Sequence, residues 1–130
     1  HMMGQELDDA YIKAITPLQL WPKLCKEKGD ALKILYSSLH GTGITMVPVA
    51  LKHFGFGNVH FVDEQIVPDG NFPTCKKPNP EESAALTLGI HKLLDESCDI
   101  FIATDPDCDR LGCVVRHGGQ AIALSGNQII

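Results

Sequence analysis

The sequence predicts an α/β domain: a three-layer α/β/α sandwich on a mixed, mainly parallel four-stranded sheet whose last strand is antiparallel. Three observations carry this expectation. Short apolar runs alternate with segments whose apolar residues recur every three or four positions, in the order β-α-β-α-β-β. The first three runs are separated by enough chain for crossover helices, so they should be parallel with right-handed connections. The fourth run follows the third after a very short connection, which fits only an antiparallel partner.

Residues 8–28 carry Tyr11, Ile12, Ile15, Leu18, Trp21, Leu24 and Cys25 at helical spacing. Pro17 and Pro22 break the pattern, so two short helices are expected, stopped by Gly29-Asp30. Trp21 reads as a packing residue. Residues 33–39 form the first predicted strand, and His40-Gly41-Thr42-Gly43 turns the chain. Residues 46–54 fit a helix with Thr45 as its cap, Pro48 in its first turn and Gly55 at its end. Residues 59–62 are the second strand. Residues 63–77 form a long irregular stretch, of a kind that is functional or docked on a neighbour. Asn79-Pro80-Glu81-Glu82 predicts a helix start with a capping box, and Leu86, Ile90, Leu93 and Leu94 its buried face. Residues 100–104 and 111–117 are the third and fourth strands. Gly118-Gly119 allows a tight hairpin from which residues 120–124 could pair back. Ser125-Gly126-Asn127-Gln128 resembles a helix start that the chain leaves without a body, as in a piece cut from a larger protein.

The chain divides into three. Residues 1–4 read as an expression remnant (His1-Met2) and a disordered start, residues 5–30 as an N-terminal helical segment, and residues 31–130 as an α/β metal-binding domain. A hydrophobic fraction of 44% is ordinary for a globular protein, and 130 residues suffice for a real core. The net charge of −5 and the absence of a basic stripe argue against nucleic-acid binding. No apolar run approaches a membrane span, and no signal peptide is visible. The five cysteines are odd in number and lack any CxxC, which suits a reducing, cytoplasmic setting better than disulfides or zinc.

The chemistry concentrates in Ile100-Phe-Ile-Ala-Thr-Asp-Pro-Asp-Cys-Asp-Arg110. A buried strand delivers Asp105, Asp107 and Asp109 at its carboxyl end, followed by Arg110. Three hard oxygen donors suit Mg²⁺ or Ca²⁺ rather than Zn²⁺, and three crowded negative charges favour a divalent counterion. Arg110 offers a fork for a phosphate or carboxylate. A solvated turn is the plain alternative, and unpaired like charges weigh against it. An EF-hand would need Gly and Glu where Arg110 and Arg116 stand. A haloacid-dehalogenase-like phosphatase would use Asp105 as nucleophile and Asp107 beside it, but it normally carries Thr or Val at the position of Asp109. A non-catalytic, divalent-metal-dependent interaction module is a further reading.

The loop Asp105-Pro-Asp-Cys-Asp-Arg110 resembles the magnesium loop of the α-D-phosphohexomutases, the phosphoglucomutase/phosphomannomutase family. Leu39-His-Gly-Thr-Gly43, Phe72-Pro-Thr74 with Pro78-Asn-Pro-Glu81, and Gly126-Asn-Gln-Ile129 resemble further segments of that family in the right order. The match spans residues 11–130 and resembles the second of four domains. The resemblance implies that Asp105, Asp107 and Asp109 hold Mg²⁺ for an isomerase that works as an intramolecular phosphotransferase on hexose phosphates. It implies a phosphoserine and a hexose 1,6-bisphosphate. The family's Thr-Ala-Ser-His-Asn-Pro and Gly-Glu-x-Ser-Gly loops have no counterpart here, so no catalytic nucleophile is expected in this chain and the isolated domain should be inactive. Its partners would be the hexose phosphate and the other domains of the same chain. Arg110 and His40 are the candidates for substrate or phosphate binding. A salt bridge within the loop competes for Arg110, and a hydrogen bond shaping the glycine turn competes for His40. Lys76 and Lys77 could reach a phosphate, with a solvated basic turn as the ordinary alternative.

Overall fold

The computed structural model describes residues 3–129, so the expectation for His1-Met2 lies outside the described residues. The helical segment forms as two pieces. Helix α1 spans Gln5–Ile15 and α2 spans Pro22–Lys28, with Pro22 in the first turn, where its missing N–H costs nothing. Of α1 only Ile12 is buried. Two hydrogen bonds fasten the segment to residues 53 and 54: one between Thr16 Oγ1 and His53 Nε2 (2.8 Å), the other from Gln19 Nε2 to the Phe54 carbonyl (2.7 Å). Trp21 is exposed and so lies outside the core.

The sheet has five strands, not four. They are β1 (Ile34–Ser37), β2 (Val59–Phe61), β3 (Ile100–Thr104), β4 (Leu111–His117) and β5 (Gln120–Leu124), arranged β2-β1-β3-β4-β5. The pairs β1–β2 and β1–β3 are parallel, whereas β3–β4 and β4–β5 are antiparallel. The extra strand exists because Gly118 (φ +57°) and Gly119 (φ +76°) both adopt left-handed backbone, the geometry of a two-residue hairpin. Strand β1 is shorter than expected. Leu39 (φ 45°) and His40 (φ 64°) turn the chain out of extended conformation.

Helix α3 (Val47–His53) starts after a 3₁₀ turn over Thr42–Thr45. Thr45 does not cap it: its hydroxyl donates to the Thr42 carbonyl (2.8 Å), leaving Met46 at the cap position. Helix α4 (Ser83–Asp95) begins later than predicted. Asn79 Oδ1 accepts the Glu81 N–H (3.0 Å) and the Asn79 carbonyl accepts the Glu82 N–H, so residues 79–82 form a turn. Pro80 is buried against the glycine backbone of Gly112 at the start of β4, which pins that turn to the sheet. The face of α4 that packs on the sheet uses Ala85, Leu86, Gly89 and Leu93, while Leu94, expected on that face, is 37% exposed at its rim. A Cβ at Gly89 would lie 2.1 Å from the Phe101 ring, so glycine here brings helix and strand into close contact. The core cluster joins Leu35, Phe101, Ala103 and Val114 of the sheet to these helix residues. Ile34 and Tyr36 alternate to the other side of β1, where Tyr36 meets Phe61 edge-on. With helices flanking the sheet, the α/β class and the mixed sheet hold as read from sequence. The short α5 (Gly126–Ile129) follows β5.

Among the described residues no helix is long and apolar enough to cross a membrane, and all five cysteines are free thiols.

Candidate metal centre at the carboxyl edge of the sheet

Strand β3 lies between β1 and β4, and its last residue, Thr104, delivers Asp105 directly to the carboxyl edge. Asp105 is fully buried, yet both its oxygens are partnered: Oδ1 accepts the Arg110 N–H (3.0 Å) and Oδ2 accepts Arg110 Nε–H (2.7 Å). The loop closes on itself through the Cys108 N–H, which donates to the Asp105 carbonyl (3.0 Å). Cys108 sits at φ +64°, a conformation that costs a non-glycine residue roughly 1–2 kcal/mol. This turn brings one carboxylate oxygen each from Asp105, Asp107 and Asp109 within 4.8 Å of one another, with Asp107 and Asp109 exposed.

The electrostatics follow from that crowding. Burial pushes the Asp105 carboxyl up, but the hydrogen bonds from Arg110 outweigh it and hold the group below the usual carboxylate range. The neighbouring Asp105 carboxylate, then the charge of Asp107, push Asp109 above that range. Arg110 is raised in turn, first by its bond to Asp105. It bridges Asp105 at 2.7 Å and Asp109 at 3.6 Å, so one guanidinium stands against three carboxylates and touches two of them. The donor set fits a hard divalent cation: all oxygen, two uncompensated negative charges, and a spare lone pair on each Asp105 oxygen.

Asp105 and Asp107 face an open cleft of ≈ 470 Å³. Asp105, Asp107 and Arg110 line one side, and Lys76, Lys77 and Asn79 line the other. His40 is not among the lining residues. It is 4% exposed, with Nδ1 at 3.1 Å from the Val67 carbonyl and Nε2 at 2.8 Å from Thr74 Oγ1. A carbonyl can only accept, so Nδ1 carries a proton and donates to Val67.

Sequence reasoning missed two partners of this site. Gln65 is fully buried; its Oε1 accepts from Ser37 Oγ (2.8 Å) and its Nε2 donates to Thr74 Oγ1 (3.1 Å), which docks the long loop onto the sheet. Thr42 donates twice to the Pro106 carbonyl, from its N–H (2.8 Å) and from Oγ1 (3.1 Å). No motif or periodicity flags Gln65; Thr42 falls inside the Leu39–Gly43 motif, but nothing in the sequence links it to Pro106.

A family model described as phosphoglucomutase/phosphomannomutase, alpha/beta/alpha domain II, matches residues 9–119. The chain belongs to this family. It is 42% identical over 122 residues to the phosphoglucomutase of Staphylococcus haemolyticus (strain JCSC1435), covering 93% of the chain and 21% of that protein. It is 35% identical over 129 residues to the Haemophilus influenzae protein named "Probable phosphomannomutase", covering 98% of the chain and 25% of that protein. Among solved structures, a Thermus thermophilus protein named for the phosphomannomutases superposes with a TM-score of 0.73 at 26% identity, over 95% of the chain and 26% of that protein. The chain therefore spans about a fifth to a quarter of the relatives it matches. Membership in this family displaces the dehalogenase-like reading of the aspartate loop.

Proposed function

We propose that this domain supplies the metal loop of a phosphohexomutase. The observation that carries the reading is the convergence of three carboxylates within 4.8 Å at the end of β3, with a single guanidinium to offset them. Asp105, Asp107 and Asp109 would hold Mg²⁺, which when bound supplies positive charge for phosphoryl transfer. The buried Asp105 fixes the position of the set, and the exposed Asp107 and Asp109 complete it from the solvent side. Arg110, held by Asp105, presents its remaining N–H groups to the cleft, where a phosphoryl oxygen is the natural acceptor. Lys76 and Lys77 face the same space and favour an anionic substrate.

The reaction would pass a phosphoryl group between a phosphoserine of another domain of the same protein and a hexose phosphate, through a hexose 1,6-bisphosphate. The catalytic nucleophile lies outside these residues, and the five free thiols suit a reducing, cytoplasmic compartment. The 130-residue chain should therefore give no turnover of glucose 1-phosphate with Mg²⁺, and no hydrolysis of an aryl phosphate. Mutase turnover by the chain alone would contradict the assignment of the nucleophile elsewhere. Aryl phosphate hydrolysis abolished by Asp105→Asn would instead mark Asp105 as a nucleophile.

A further inference from the structure

The aspartate loop does not stand alone on β3. The turn after β1 is pressed against it so closely that side chains are excluded. A Cβ at Gly41 would lie 2.2 Å from Pro106 Cα, and one at Gly43 would lie 2.4 Å from the Tyr36 hydroxyl and 2.7 Å from Thr104 Oγ1. Tyr36 and Thr104 hydrogen-bond each other at 2.8 Å and form the floor on which Gly43 rests. Two consecutive non-glycine residues of this turn, Leu39 and His40, hold left-handed backbone. Unlike a helix end, this place has no routine need for that conformation, and such strain persists only where surrounding contacts over-determine it. Here His40 supplies them. Its N–H donates to the Gln65 carbonyl (2.8 Å), its carbonyl accepts from the Asp69 N–H (3.1 Å), and both ring nitrogens are bonded to the same loop. The turn is thus anchored on one side to the 63–77 loop and offers its free side to Pro106.

Thr42 makes the connection. Its two bonds end on the carbonyl of Pro106, the residue that joins Asp105 to Asp107. We propose that Thr42 is a positioning residue for the metal site, a clamp that fixes the peptide between the first two ligands and so sets their relative orientation before a cation arrives. The proposal rests on the metal reading given above for its effect on affinity, though not for its effect on the loop. Residues that orient metal ligands from outside the coordination sphere typically change affinity about 10–100-fold when lost. Thr42 bonds a peptide carbonyl rather than a carboxylate, so the low end of that range applies. Thr42 is exposed, so replacing it leaves the core intact.

The test compares the wild-type chain with Thr42→Val, which keeps the shape and the backbone donor, and with Thr42→Ser, which keeps the hydroxyl. Calorimetric titration with Mg²⁺ should show Thr42→Val binding about 10-fold more weakly and Thr42→Ser close to wild type. Amide exchange without metal should show faster exchange at the Cys108 and Arg110 N–H groups in Thr42→Val only, with Tm little changed. Wild-type Mg²⁺ affinity in Thr42→Val, or unchanged exchange at those amides, overturns the clamp. If no form binds Mg²⁺ yet the exchange difference is present, the metal reading fails while the clamp on the loop stands.

Discussion

The two edges of the sheet use the same side-chain chemistry and reach opposite outcomes. At the amino edge, Arg116 Nε donates to the Cys98 carbonyl (2.7 Å), and its Nη2 reaches the Ser97 carbonyl (3.2 Å) and Asp99 Oδ1 (3.3 Å). The other Asp99 oxygen accepts the Lys33 N–H (2.9 Å), and Lys33 Nζ caps the Glu96 carbonyl (2.7 Å). One carboxylate there meets one guanidinium and the Lys33 backbone N–H, and the carbonyls just past the end of α4 take the remaining donors. The left-handed Ser97 belongs to a Schellman ending, with Cys98 N–H bonded to the Leu93 carbonyl and Ser97 N–H to that of Leu94. At the carboxyl edge, three carboxylates crowd beside one guanidinium that bridges only Asp105 and Asp109, and the left-handed residues end no helix. A closed charge balance makes a structural clasp. An open one, gathered by a turn in left-handed backbone, leaves negative charge that a cation could offset.

The sharpest way to break the comparison is to push the two loops of the carboxyl edge apart. Gly41→Ala forces a methyl group into the Pro106 backbone and should cost about 3 kcal/mol by overpacking. Chemical denaturation would measure it. A cost near zero would mean that the loops are not in tight contact. The amino edge is next: Arg116→Met removes three hydrogen bonds from a partly exposed clasp and should cost about 2 kcal/mol, with Mg²⁺ binding unchanged. Loss of metal binding in that variant would show that the two edges are coupled.

The floor beneath the site gives a smaller effect. Tyr36→Phe loses the bond to Thr104 and should cost about 1 kcal/mol at neutral pH. It also has a pH signature. Burial pushes the Tyr36 hydroxyl up to about 12, against a bonded Thr104 that lowers it. The folded chain therefore keeps this proton where the unfolded chain, from its ordinary value of 10.0, releases it. The contribution is whole below the unfolded value and drains away as pH rises from 10.0 to about 12, at about 1.4 kcal/mol per pH unit. Tyr36→Phe should lose stability less steeply than wild type across that window. Parallel slopes would mean that the hydroxyl is solvated.

The aspartate loop could be read from sequence because its residue types are themselves the chemistry. Three carboxylates at the end of an apolar run need little context to suggest a cation. The order of helices and strands was legible for a similar reason, since apolar periodicity records which faces are buried. Strand β5 was harder because it is an edge strand with mostly exposed side chains, and only the paired left-handed glycines commit it. The start of α4 was misplaced because an asparagine side chain can cap a helix or close a turn equally well. The buried fit of Pro80 against Gly112 decides for the turn. Gln65 was invisible as a site residue, and Thr42 and the glycines of the β1 turn stood out only as part of the Leu39–Gly43 motif, with no sign of their contact with the aspartate loop. Their role comes from which loops the topology presses together, and no local pattern encodes that.

A divalent cation shared by the three aspartates is the claim on which the metal-loop function rests. Asp107 tests it cleanly, because its side chain is exposed and makes no hydrogen bond among the described residues, so its removal should leave the fold and Tm intact. Titration calorimetry with Mg²⁺ on the wild-type chain and on Asp107→Ala is the measurement. One site in the wild type and its loss in the variant are expected; equal binding by both, or none by either, would contradict the shared cation.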